Sequence, residues 1–144
     1  MGRWVGIDYG RRRIGLALGD PTESIASPAG VVPATGNQTE DAQIVSRWAT
    51  EREADGFVVG LPLNMDGTES IQSGVNRAFA DELRRRASLP VELWDERLSS
   101  FQADQHLNEL GCTRSRRRRR RDALAAQVIL QSFLNHHRRQ LDQP

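Results

Sequence analysis

The stretch that decides the fold is residues 3–19, RWVGIDYGRRRIGLALG. Residues 3–9 are apolar on both faces until Asp8, which predicts a buried strand. A turn at residues 10–12 and a second strand over residues 13–19 complete a predicted β-hairpin. Because side chains alternate along a strand, Asp8 lies on the face of Trp4 and Gly6, at the carboxyl end of the first strand.

The remaining sequence alternates between helical and strand patterns. The two prolines in residues 24–33 favour an irregular third strand at the edge of a sheet. Two further short strands are predicted over residues 56–61 and 90–94. The predicted helices run from near Thr39 to near Glu53, over about 70–87 with Ile71, Val75, Ala78 and Phe79 buried, over 100–110, and from the end of the arginine run to about residue 139. This order predicts an α/β fold with a mixed five-stranded sheet flanked by helices, in a single domain over residues 1–144.

Composition narrows the class of protein. The chain has 144 residues, of which 38% are hydrophobic and 27% charged, as is typical of a globular protein without membrane segments. Residues 1–8 lack the apolar run of a signal peptide, and the single cysteine, Cys112, has no partner for an internal disulfide. We therefore expect a cytoplasmic protein. The three histidines and one cysteine do not have zinc-ligand spacing.

Positive charge is concentrated near the carboxyl terminus. Residues 114–121, RSRRRRRR, hold seven arginines, although the net charge of the whole chain is only +1. Such a run is often merely solvated, but this one directly precedes Asp122. A positive surface beside a group of carboxylates suits a polyanionic substrate, whose phosphates it binds without reading sequence. We assign nucleic-acid binding to the run and to the turn after Asp8, through Arg11, Arg12, Arg116, Arg117, Arg118 and Arg119.

Three acids stand where stability alone does not explain them. Asp8 ends an apolar strand, Glu96 follows another, and Asp122 shares a helix face with Ala126 and Ile129. Converging carboxylates repel one another unless a divalent cation neutralises them, and oxygen ligands favour Mg²⁺ or Mn²⁺. Two such ions are able to activate a water and stabilise the leaving oxygen in phosphodiester hydrolysis.

Each acid also has a structural alternative. Asp8 can cap the hairpin turn, and Asp122 can be a helix N-terminal acid paired with a preceding arginine. Glu96 belongs to the cluster 95–97, Asp-Glu-Arg, which can be solvated. Residues 60–67, GLPLNMDG, form a strand-to-helix loop in which Asn64 and backbone N–H groups can hold a phosphate. The alternative for that loop is a plain turn in which Gly67 supplies a positive φ.

Four motifs in order resemble the YqgF family of Holliday-junction-resolvase-like proteins, which are also described as pre-16S rRNA nucleases. They are residues 6–17 GIDYGRRRIGLA, 58–67 VVGLPLNMDG, 95–100 DERLSS, and 122–126 DALAA with Ile129 and Leu130. The resemblance implies a ribonuclease-H-like fold, divalent-metal nuclease chemistry and a role in maturing the 5′ end of 16S rRNA, and we expect ribosomal particles as a partner. It also implies that Asp8, Glu96 and Asp122 are catalytic metal ligands, and that Asn64 and Arg97, which lie inside the motifs, bind the nucleic acid. Asp95 remains the alternative to Glu96, because the strand at residues 56–61 ends without an acid.

Other functions fit parts of the pattern. A ribosome-assembly factor would bind rRNA without cutting it, and a DNA junction resolvase would act on branched or single-stranded DNA as a symmetric dimer. The sequence leaves open whether the protein is a monomer or a homodimer. A nucleotide-binding domain of the actin and sugar-kinase type also has an Asp-x-Gly hairpin, but 144 residues leave no room for its second lobe.

Overall fold

A computed structural model describes residues 2–20, 22, 24–99 and 114–141. The strands are β1 (Arg3–Tyr9), β2 (Arg13–Asp20), β3 (Ile25–Pro33), β4 (Ala54–Leu61) and β5 (Val91–Asp95). The helices are α1 (Gln38–Glu51), α2 (Ile71–Ala87) and α3 (Arg114–Leu141), and a 3-10 turn covers Glu96–Leu98. The helix predicted over 100–110, and Cys112, lie outside the described residues.

The strands form one mixed sheet in the order β3-β2-β1-β4-β5. The pairs β1–β2 and β2–β3 are antiparallel, whereas β1–β4 and β4–β5 are parallel. The predicted hairpin and five-stranded mixed sheet are therefore confirmed. Because β1, β4 and β5 run the same way, their carboxyl ends meet at one edge of the sheet.

Each face of the sheet is covered by helices. On one face α1 and α2 pack over a large core that includes Ile7, Phe57 and Phe79. On the other face α3 packs against the sheet, through Ala126, Leu130 and their neighbours. Gly6, Gly15 and Gly19 lie under α3 on this face, and the helix therefore approaches β1 and β2 closely.

The predicted buried stripe of α2 is wrong in its first half. Phe79 is buried, but Ile71 is 92% exposed and Val75 and Ala78 also face solvent. The buried positions in the first turns are instead Ser73 and Asn76. Both are hydrogen-bonded: Ser73 completes a capping box with Ser70, and the Asn76 Nδ2 donates to the Gly60 carbonyl over 2.8 Å. A polar side chain with such hydrogen-bond partners can be buried at a low cost in free energy. The periodicity of apolar residues does not detect such positions.

The arginine run is also more ordered than predicted. We expected the last helix to follow it, but α3 already begins at Arg114, so the run forms the first two turns. Among the described residues, no helix is both long enough and apolar enough to cross a membrane.

Asp41 organises the entrance to α1. It is fully buried, and its carboxylate accepts hydrogen bonds from the Tyr9 hydroxyl over 2.6 Å and from the Thr35 backbone N–H and hydroxyl over 2.8 Å each. We expect Asp41→Ala to lower the free energy of unfolding by about 1–3 kcal/mol, because it leaves the buried Tyr9 hydroxyl without its acceptor. Urea denaturation measures the loss. Glu40→Ala, at the exposed neighbouring position, is the control, and an equal loss there would contradict this role.

Candidate active site

Asp8 and Asp122 are brought together across a glycine. Asp8 on β1 is the register partner of Gly15 on β2. A Cβ atom at Gly15 would lie only 2.0 Å from the Asp122 carbonyl oxygen, so the α3 backbone rests directly on this glycine. Asp122 is therefore held beside Asp8, on the α3 face of the sheet.

Glu96 reaches the same face from β5. A Cβ atom at Gly60 would lie 3.2 Å from the Cγ and Cδ atoms of Glu96, so the side chain of Glu96 lies over β4. Asp95 is directed elsewhere, since its carboxylate accepts hydrogen bonds from Arg97, at 2.7 Å from Nη2. Arg97 also holds the pKa of Asp95 below its usual value. Of the two neighbouring acids, Glu96 is thus the one that faces Asp8.

Burial and nearby negative charges raise the pKa values of both Asp8 and Glu96. Burial, with a further contribution from Asp122, raises the pKa of Asp8 to about 6. Burial also raises the pKa of Glu96 to about 7, with smaller contributions from Asp8 and Asp95. Burial and the neighbouring negative charges thus favour the protonated form of both carboxyl groups.

The donor set suits a hard divalent ion, although the side chains are not yet arranged around one. Asp8, Glu96 and Asp122 offer only carboxylate oxygens, as Mg²⁺ and Mn²⁺ prefer. In the described part of the chain, no three His, Cys, Asp or Glu side chains form a ready-made ligand group. The Oδ2 atom of Asp122 lies 2.5 Å from the Nε atom of Arg13. The acids share an edge, but Asp122 is paired with an arginine.

Asn64 and Arg97 hold the loop between β4 and α2. The Asn64 Nδ2 donates to the Thr68 hydroxyl and to the Glu69 carbonyl, over 3.0 and 3.2 Å. The Arg97 Nη1 donates to the Met65 carbonyl over 3.2 Å and thereby ties the loop to the 3-10 turn. Both side chains are thus engaged within the protein, and their contact with a phosphate stays a prediction. Gly67 has φ +88°, as the plain-turn alternative requires.

The arginines assigned to nucleic acid lie in the two segments next to Asp8 and Asp122, namely the hairpin turn and the start of α3. Arg11 and Arg12 are exposed in the hairpin turn directly after β1. Arg116–Arg119 are exposed in the first turns of α3, where successive residues are rotated by about 100° around the helix. The positive charge therefore surrounds the helix and continues to the position of Asp122.

Sequence reasoning missed the two glycines that build the site and the partner of Asp122. Gly15 and Gly60 lack the side chains that would keep α3 and Glu96 away from the strands. Gly15, Ala17 and Gly19 alternate along β2, and this small-residue pattern, which begins two residues after Arg13, was the available signal.

The raised pKa values of Asp8 and Glu96 predict an unusual pH dependence in the metal-free protein. Both exceed the usual values of 3.8 and 4.5, so between about pH 4 and pH 7 the folded state binds more protons than the unfolded state. The contribution of these acids to stability therefore falls as pH rises through this window. Urea denaturation with a chelator should show that an Asp8→Asn, Glu96→Gln double variant gains stability over the wild type from pH 4.5 to 7.5. A pH-independent difference between the two proteins would contradict the prediction.

Comparisons with known proteins place the chain in a family. The profile of the RuvX family, described as Holliday junction resolvase, matches residues 2–136. A protein of Anaeromyxobacter sp. (strain Fw109-5) is 49% identical over 135 residues, covering 92% of this chain and 96% of that one. A protein of Phenylobacterium zucineum (strain HLK1) is 43% identical over 136 residues, covering 93% and 86%. Both are named "Putative pre-16S rRNA nuclease".

Solved structures confirm the fold. Thermus thermophilus RuvC in complex with a Holliday junction substrate superposes with a TM-score of 0.57 at 12% identity, covering 96% of each chain. A second structure of RuvC from Thermus thermophilus gives a TM-score of 0.54 at 15% identity, covering 94% of this chain and 96% of that one. The ribonuclease-H-like fold predicted from the sequence is thereby confirmed. Because the RuvX family profile matches nearly the whole chain, the protein belongs to the RuvX family, which is the YqgF-type family that its four motifs resemble.

Proposed function

We propose that this protein is a divalent-metal-dependent nuclease that hydrolyses phosphodiester bonds of precursor 16S rRNA, in the cytoplasm, during maturation of the 5′ end. The observation that carries the proposal is the meeting of Asp8, Glu96 and Asp122 at one sheet edge beside the arginine-rich start of α3. The names of the relatives support the choice of RNA and of this processing step.

The residues of the site have three roles: metal binding, phosphate binding and positioning of the neighbouring loop. Asp8 and Glu96 from the sheet and Asp122 from α3 would hold Mg²⁺ or Mn²⁺. When bound, such ions supply Lewis-acid polarisation of the phosphate and activation of water. Arg116–Arg119, with Arg11 and Arg12, bind backbone phosphates and place the scissile bond over the acids without reading the bases. Asn64 and Arg97 keep the neighbouring loop at the rim of the site.

Cleavage of matched substrates tests the proposal. The substrates are an RNA with the 5′ leader of 16S rRNA, a single-stranded DNA and a four-way DNA junction, each with Mg²⁺, with Mn²⁺ and with a chelator. We expect metal-dependent cleavage of the RNA within its leader. Binding without cleavage under every condition would overturn the proposal in favour of an assembly factor. Analytical ultracentrifugation alongside, with and without ribosomal precursor particles, measures the oligomeric state and the binding partner.

A second candidate is resolution of branched DNA, which the description of the family profile favours. A resolvase must cut two strands symmetrically and should therefore act as a homodimer with twofold symmetry. Paired symmetric cuts in the four-way junction, with no cleavage of the RNA leader, would favour this function.

The arginine-rich start of α3 predicts a strong salt dependence of RNA binding. Each phosphate contact releases counterions, so log K falls as log salt rises. Replacing Arg116–Arg119 with glutamine should make this negative slope less steep by about 3. The control replaces four arginines on the opposite side of the sheet, namely Arg47, Arg77, Arg85 and Arg86. Fluorescence anisotropy between low and physiological salt measures both variants, and an equal loss of slope would show that only total charge matters.

A further inference from the structure

Arg13 is the described residue in closest contact with a predicted metal ligand. Its Nε atom lies 2.5 Å from the Asp122 Oδ2 atom, and the two side chains are 31% and 18% exposed. The contact joins β2 to α3 across 109 positions of sequence. Because the pair is partly shielded from solvent, salt screens it less than it screens an ordinary surface ion pair.

The position of Arg13 follows from the hairpin. The Arg13 carbonyl accepts a hydrogen bond from the Gly10 N–H over 3.0 Å, which fixes the first residue of β2. Alternation then puts Arg13, Gly15 and Ala17 on the α3 face. Gly15 lets the α3 backbone come down onto β2, so the guanidinium two residues earlier meets the carboxylate of Asp122. Arg11 and Arg12, in the same turn, are exposed instead.

The same oxygen is needed by a metal ion. A guanidinium bound to Oδ2 blocks that oxygen and places a positive charge where a divalent cation would bind. In the protein without metal, the pair also neutralises one of three neighbouring acids. Arg13 therefore stabilises the group of acids when no metal is bound, and it opposes metal binding.

We propose that Arg13 is a positioning residue that serves as the resident counter-ion of Asp122, and that a divalent cation must displace it. The inference rests on the proposed function, since it concerns the same acids. The displaced guanidinium remains at the rim of the site, between Arg12 and α3, where it can form charge-assisted hydrogen bonds to a substrate phosphate. Phosphate binding would thus favour the metal-loaded state by taking up the arginine.

Manganese binding to the free protein, measured by electron paramagnetic resonance, tests the displacement. We expect Arg13→Gln to bind Mn²⁺ about tenfold more tightly than the wild type, because the competing charge next to Asp122 is gone. Arg12→Gln removes the same charge one residue earlier and should change the affinity by less than about twofold. Equal affinities for Arg13→Gln and Arg12→Gln, or weaker binding by Arg13→Gln, would overturn the inference.

A second measurement uses the wild type and does not depend on the folding of a variant. The side-chain Nε–H resonance of Arg13, assigned by through-bond correlation to its own backbone amide, should shift during a titration with Mg²⁺, with the same midpoint as the Asp8 backbone amide. A merely structural arginine would keep its resonance while the amide moves, and that result would overturn the inference alone. If neither protein binds Mn²⁺ or Mg²⁺, the proposed metal-dependent function fails as well, so the two failures are distinguishable.

Discussion

Asp8→Asn is expected to reduce metal-dependent RNA cleavage by at least about 100-fold, because it removes a charged ligand from the centre of the acidic group. The change is isosteric, and Asp8 has a pKa raised by burial, so the variant should be at least as stable as the wild type at neutral pH in the absence of metal. RNA affinity should stay within about twofold, since the phosphates are held by the arginines. Single-turnover cleavage with Mg²⁺ or Mn²⁺ and anisotropy of the uncleaved RNA measure the two effects.

The neighbouring acids provide the matched control. Glu96→Gln should resemble Asp8→Asn, because Glu96 lies over Gly60 and interacts with Asp8. Asp95→Asn should retain most of the activity, because the Asp95 carboxylate is paired with Arg97. Full activity of Asp8→Asn, or loss with Asp95→Asn and not with Glu96→Gln, would contradict the assignment of the acids.

Much of the fold could be predicted because its signals are local. The β1–β2 hairpin is encoded by two short apolar segments around a glycine-containing turn. The order of strands and helices is encoded by the change between strand-like and helix-like hydrophobic periods. The first half of α2 was mispredicted because Ser73 and Asn76 are buried through hydrogen bonds, whereas Ile71 is exposed despite being apolar. The free-energy cost of burying a polar side chain depends on its hydrogen-bond partners, which residue hydrophobicity does not include.

The site could be predicted in its residue types but not in its pairings. The acids were selected by their positions at strand ends and on a helix face. The sequence does not distinguish the three consecutive arginines Arg11, Arg12 and Arg13. Only the packing of α3 on β2 determines that Arg13 contacts Asp122. Likewise, the choice between Asp95 and Glu96 depends on the contact of the Glu96 side chain with Gly60. Gly60 lies on the neighbouring strand β4, so this contact is not visible in the local sequence.

Gly15 is the position at which the fold and the site depend on the same contact. Its φ is not positive, so the requirement for glycine arises from close approach and not from backbone conformation. A Cβ atom there would lie 2.0 Å from the Asp122 carbonyl oxygen and 2.5 Å from its carbonyl carbon. Both are backbone atoms of a helix, so the overlap can be relieved only by moving α3 away from β2.

We therefore expect Gly15→Ala to lower the free energy of unfolding by about 1–3 kcal/mol, as overpacking of a close contact does. Because the displaced element carries Asp122, cleavage should fall by about 100-fold even in the folded fraction, as expected for a misplacement of roughly 1 Å at a reacting centre. Gly74→Ala is the matched control: this glycine lies within α2 with open space around its Cβ position, and alanine there should stabilise the helix by about 0.5–1 kcal/mol. Urea denaturation and cleavage at saturating protein measure both variants. If Gly15→Ala kept full activity and stability, α3 would not rest on β2 at Asp122, and the acidic group would have to be assembled in another way.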